Sequence, residues 1–79
     1  MSEFLKRMKQ KIDKKEKENT ERMLVFLKQN PSEIKKTIET IHAVVNGRYR
    51  YVRGIDLFSL KEGNIEEIAY VCSVLNICE

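Results

Sequence analysis

The residues with the most obvious chemical potential are clustered in one short stretch, GRYRYVRG at positions 47–54. Arg48, Arg50 and Arg53 supply guanidinium forks that fit phosphate or carboxylate in a bidentate way, and Tyr49 and Tyr51 supply faces on which a base can stack. Alternating the two types suits a single-stranded nucleic-acid surface, a minor-groove arm or an acidic protein partner. The same residues also fit a structural turn, with Tyr49 or Tyr51 packed in the core and the arginines ringing it. No helix-turn-helix, RRM or zinc-finger pattern surrounds the stretch.

The remaining chemistry-bearing residues do not form a catalytic set. The one histidine, His42, falls at the edge of an aliphatic stripe, the place of a half-buried structural residue rather than a general base. There is no glycine-rich phosphate loop, no Ser/His/Asp grouping and no pair of carboxylates in an apolar setting. A chain this small also leaves little room for the roughly 300–1,000 Å³ pocket of a small-molecule site. Cys72 and Cys78 are six residues apart on one expected helix, about 240° around its axis, so they cannot bridge to each other there. With one histidine they make three soft ligands at most and no metal-binding spacing. The expectation is therefore no enzyme, no catalytic residue, no metal, no cofactor and no small-molecule substrate, with buried thiols in a reducing, cytoplasmic setting.

The elements that must position these residues read as helical. Seventy-nine residues, 42% apolar and 34% charged, make one folded domain with a small core. The longest apolar run, MLVFL at 23–27, is far too short to cross a bilayer, and no signal-peptide pattern precedes it. Phe4, Leu5, Met8 and Ile12 make an apolar stripe on a first helix over 3–18. The Lys/Glu run at 13–22 favours helix but contains no apolar residue, which excludes a long coiled coil. Helix continuing into the next segment, 20–29, is the preferred reading, with an interruption near residues 19–20 as its alternative. Residues 1–22 could project as a basic helix; too few apolar residues and no tryptophan argue against membrane-surface binding.

Asn30-Pro31-Ser32-Glu33 reads as a capping box opening a third helix over 31–45, with Ile34, Ile38, Ile41 and Val45 on its core face. Asn46-Gly47 stops it. A strand at 48–54 would have nothing to pair with unless a hairpin turned near Gly54, so a helical turn over 51–60 is the preferred reading. Asn64 and Glu67 cap a last helix, 65–77. The predicted fold is thus an all-α small bundle of about four helices, with a short irregular or strand-like segment at 48–54.

Charge is uneven along the chain. Residues 1–30 carry a net +4, 48–53 carry +3, and 54–79 carry −4, within an overall +3. That pattern suits internal or head-to-tail complementarity as well as a polyanion. The last helix is apolar on nearly every side, and Tyr70, Val71, Val74 and Ile77 are left over once its main face is buried. This predicts a homodimer or other self-association. The functional expectation is a small regulatory protein acting by protein–protein interaction. Its alternative is a nucleic-acid-binding regulator using the 48–53 stretch and the N-terminal lysines.

Overall fold

A computed structural model describes the backbone of residues 3–77 and the side chains of residues 14–77. The chain is mostly helical, as its composition implies, but the elements differ from a four-helix bundle. There are three α-helices among the described residues: α1 (Glu3–Gln29), α2 (Ile34–Val45) and α3 (Ile65–Val74). A two-stranded antiparallel ribbon, β1 (Tyr51–Val52) and β2 (Ile55–Asp56), lies between α2 and α3. Single 3₁₀ turns occupy Pro31–Glu33 and Leu57–Ser59.

The two helices expected over 3–18 and 20–29 are one. Nothing in 3–29 forbids helix, because glycine and proline are absent and the Lys/Glu run has high intrinsic propensity. Thr20 is accommodated by donating its hydroxyl to the Glu16 carbonyl one turn back, at 2.7 Å. Twenty-seven residues at about 1.5 Å each give a rod of about 40 Å, nearly the 44 Å longest extent of the molecule. Residues 16–29 are part of the packed body: Glu16 and Thr20 are half-buried, Met23 and Leu24 pack on the core, and Leu27 is fully buried within it. The Phe4, Leu5, Met8 and Ile12 stripe and Cys78 lie outside the described side chains.

The Asn30 junction also differs from the capping box. Asn30 makes no side-chain cap, and its amide donates back to the Phe26 carbonyl at 2.9 Å. Pro31 opens a 3₁₀ turn that leads into α2 at Ile34. The end of α2 follows the sequence: Asn46 (φ 50) and Gly47 (φ 74) adopt successive left-handed conformations.

α3 starts at the predicted cap, where Asn64 Oδ1 accepts from the Glu67 amide at 3.4 Å. It ends three residues early. Asn76 (φ 59) turns left-handed, the Asn76 amide donates to the Ser73 carbonyl at 3.1 Å, and the Ile77 amide donates to the Cys72 carbonyl at 2.9 Å. This is the Schellman pattern, and it takes Ile77 off the helix.

The core consists of Leu27, Ile41, Val45, Val52, Leu57, Ile68, Ala69, Val71 and Cys72. α3 is its centre. Five of ten α3 residues are buried, including Ser73, whose hydroxyl donates to the Glu16 carbonyl of α1 at 2.7 Å. A short helix of about 15 Å can be covered largely by one chain when α1 and α2 both pack on it. That geometry accounts for its all-round apolar character without a second subunit.

Candidate functional site

The 48–60 segment is a hairpin followed by a 3₁₀ turn, in place of the expected helical turn. Tyr51 faces Asp56 and Val52 faces Ile55 across the ribbon, and the Leu57 amide extends the pairing to the Arg50 carbonyl at 2.8 Å. Arg53 (φ 46) and Gly54 (φ 84) are both left-handed, as a two-residue type I′ turn demands. Glycine fits this geometry; arginine is an uncommon choice for the first position. Residue alternation places Val52 inward, 7% exposed. The tyrosines go the other way. Tyr49 is 43% and Tyr51 59% exposed, so neither is the core residue that the turn reading called for. Phe58, which on a helix would have joined Tyr51 and Ile55 on one face, is 63% exposed.

Each arginine of the stretch has an intramolecular task. Arg48 folds back on α2, donating Nη2 to the Val44 carbonyl at 2.8 Å and Nε to the Val45 carbonyl at 3.2 Å. A cation is favourable on the free carbonyls of a helix C-terminus. Arg50 forms a bidentate pair with Asp56, Nε to Oδ1 at 3.0 Å and Nη2 to Oδ2 at 2.9 Å. Those bonds hold the Asp56 carboxyl down from 3.8 to about 2 and raise Arg50 above its ordinary value. Asp56 also accepts from the Phe58 amide at 3.0 Å and the Ser59 hydroxyl at 3.1 Å, which fixes the 3₁₀ turn. Arg53 reaches out of the turn to Glu16 of α1, Nη1 to Oε2 at 2.7 Å and Nη2 to Oε1 at 2.9 Å, and to the Tyr70 hydroxyl of α3 at 3.2 Å. The Glu16 carboxylate and the Tyr70 hydroxyl, in that order, raise the Arg53 guanidinium above its ordinary value. Arg53 is therefore a clamp joining hairpin, α1 and α3.

These bonds produce a preorganised surface. The Arg50 guanidinium carbon lies 5.7 Å from the Tyr51 ring centroid and 5.5 Å from that of Phe58, within cation–π range of both. Phe58 in turn lies 5.7 Å from the His42 ring at 46°. His42 is half-buried, and its Nε2 donates to the Leu57 carbonyl at 2.7 Å, which ties α2 to the hairpin. Sequence reasoning had Arg50 and Tyr51 but missed Asp56 and Phe58. The available signal was the D-x-F-S spacing after a strand, an aspartate capping its own turn.

The residues expected to self-associate do not form an open face. Val71 is fully buried in the core of its own chain. Tyr70 is half-buried and engaged by Arg53, Val74 packs against the core, and Ile77 lies beyond the helix end. Cys72 is fully buried.

A concavity lies between α1 and α2. Arg22, Met23 and Phe26 on one side, Glu33, Lys36, Thr37 and Thr40 on the other, and Ile77 line a cleft of about 370 Å³. Its volume lies at the lower end of the small-molecule range, in line with the little room expected in so small a chain.

Among the described residues no cluster of His, Cys, Asp and Glu could hold a metal ion, and no helix is long and apolar enough to cross a membrane. No protein-family model, curated protein or solved structure matches the chain.

Proposed function

We propose that this chain is a small non-enzymatic regulatory protein of the cytoplasm that works by protein–protein interaction and self-associates through the outer face of its hairpin. The carrying observation is the exposed Tyr51–Arg50–Phe58 cluster with the Arg50 charge neutralised by Asp56. Tyrosine, arginine and phenylalanine are enriched at protein interfaces, and their side chains here are held in place before any partner arrives.

The cluster is self-complementary. It presents both a guanidinium and aromatic faces, so two copies related by a two-fold axis can each stack a ring on the other's arginine. Because Arg50 and Asp56 cancel, the approach of a second copy meets little like-charge repulsion. Aromatic side chains bury roughly 150–250 Å² each, so Tyr49, Tyr51 and Phe58 at their observed exposure offer about 300 Å² per copy. That is well below the ~800 Å² per partner of a standard interface, so the association is transient.

The alternative, a nucleic-acid-binding regulator, draws support from Arg48, whose charge has no carboxylate partner among the described residues, and from exposed rings able to stack bases. The two readings separate on salt and on the mutant that matters. Sedimentation velocity on the wild type and on Tyr51→Ala/Phe58→Ala, at low and high salt, tests the first. A salt-tolerant dimer lost in the double mutant supports it. A wild type that stays monomeric into the high micromolar range refutes it. Oligonucleotide binding that weakens steeply with salt and disappears with Arg48→Ala transfers the function to the alternative.

A further inference from the structure

The cleft between α1 and α2 has features that the hairpin function does not use. Its apolar lining includes Met23, Ile77 and Phe26, and Phe26 remains 38% exposed although the next residue, Leu27, is fully buried. On the α2 side the lining threonines have already used their hydroxyl protons. Thr37 donates to the Glu33 carbonyl at 2.7 Å and Thr40 to the Lys36 carbonyl at 2.9 Å. They can accept from an occupant but have no donor to give it.

The donors left are the two cations of the lining, Arg22 and Lys36. Lys36 lies 3.8 Å from Glu33, a loose pair with 72% and 39% of the two side chains exposed. Among the described residues no carboxylate comes within ion-pair distance of Arg22. Among the described lining residues, two cations stand against one carboxylate beside an apolar surface.

From that juxtaposition we infer that the cleft binds a small amphipathic monoanion, a medium-chain or arylalkyl carboxylate. Its carboxylate would pair with Arg22 and Lys36 at the rim and its apolar body would cover Met23, Phe26 and Ile77. The volume of about 370 Å³ lies at the lower end of the range for small-molecule sites. It accommodates one such molecule. The planar fork of Arg22 matches a carboxylate bidentately, which a rim of lysines alone would not. The inference is independent of the hairpin, because the two surfaces share no residue.

The test is a ¹H–¹⁵N chemical-shift titration of the full chain with decanoate, kept below its micelle-forming concentration. Decanol, acetate and a short acidic, leucine-rich peptide serve as comparison probes. Decanoate should give saturable shifts confined to residues 22–26, 36–40 and 77. Decanol should bind roughly tenfold more weakly, the scale of one charge-assisted contact. Acetate, lacking the apolar body, should not saturate. Arg22→Gln, at an exposed position that leaves the fold intact, should bring decanoate down to the affinity of decanol, and Lys36→Gln should do so in part. Phe26→Ala should weaken both ligands together. Equal binding of acid and alcohol by the wild type overturns the inference, as does the absence of saturable shifts with decanoate. Saturation by the peptide alone also overturns it and makes the cleft a protein-docking groove.

Discussion

Val71→Ala separates a helix that is central in its own chain from one that lies at a subunit boundary. Val71 is fully buried in the single chain. Truncation removes two carbons, about 0.8 kcal/mol each in transfer free energy. If the site does not collapse, the roughly 50 Å³ vacated adds about 1 kcal/mol at about 24 cal/mol per Å³. The expected loss is therefore about 2–3 kcal/mol, out of a total that for a chain of 79 residues is about 4–12 kcal/mol. At about 4–8 °C per kcal/mol for a domain of this size, the melting temperature should fall by about 10–20 °C. Thermal unfolding followed by far-ultraviolet circular dichroism, along a wide dilution series, reads both the size of the effect and its origin. Because Val71 is covered within the monomer, the gap between mutant and wild type should be the same at every concentration. Tyr51→Ala/Phe58→Ala should do the reverse, leaving the dilute-limit melting temperature nearly unchanged while removing any concentration dependence. A Val71→Ala gap that shrinks on dilution, or a loss below about 1 kcal/mol, would show that α3 lies at an interface and that the burial argument fails.

Three further outcomes follow from the geometry of the hairpin and α3. Asp56 has a folded pKa of about 2 against an ordinary 3.8, so its contribution is fully present above 3.8 and is lost as the pH falls toward 2. Asp56→Asn should remove that part of the acid sensitivity, and a ¹³C carboxyl titration that finds Asp56 at its ordinary value would discredit the Arg50 pairing. Arg53→Asn keeps a residue that tolerates a positive φ but deletes the clamp on Glu16 and Tyr70. Amide exchange at Val52 and Ile55 should accelerate, and unchanged exchange would mean the clamp does not hold the hairpin. Ser73→Ala removes the buried bond between α3 and α1 at a cost of about 1 kcal/mol, kept low because Thr20 still satisfies the Glu16 carbonyl. Urea denaturation measures it, and a loss of about 3 kcal/mol or more would mean Ser73 holds more than this one bond.

Local chemistry made part of this protein legible from its sequence alone. The mainly helical composition, the Ile34/Ile38/Ile41/Val45 stripe, the Asn46-Gly47 stop and the Asn64–Glu67 cap all act within a turn or two of chain, where propensity, periodicity and capping decide. The same is true of the unbroken α1, which the Lys/Glu run favoured and which an expected break near residues 19–20 obscured. Tertiary structure decided the rest. An arginine in a left-handed turn is unattractive locally, but Glu16, 37 residues away, and Tyr70 hold its guanidinium there. The apolar circumference of α3 has the same pattern whether its neighbours come from one chain or two, and only the tertiary structure places α1 and α2 of the same chain against it. The arginines of GRYRYVRG likewise looked available because their partners, the Val44 and Val45 carbonyls, Asp56 and Glu16, could not be assigned from spacing. Asp56 and Glu16 offset the charges of Arg50 and Arg53 while Tyr49, Tyr51 and Phe58 stay exposed beside them, and this moves the proposed self-association surface from α3 to the hairpin.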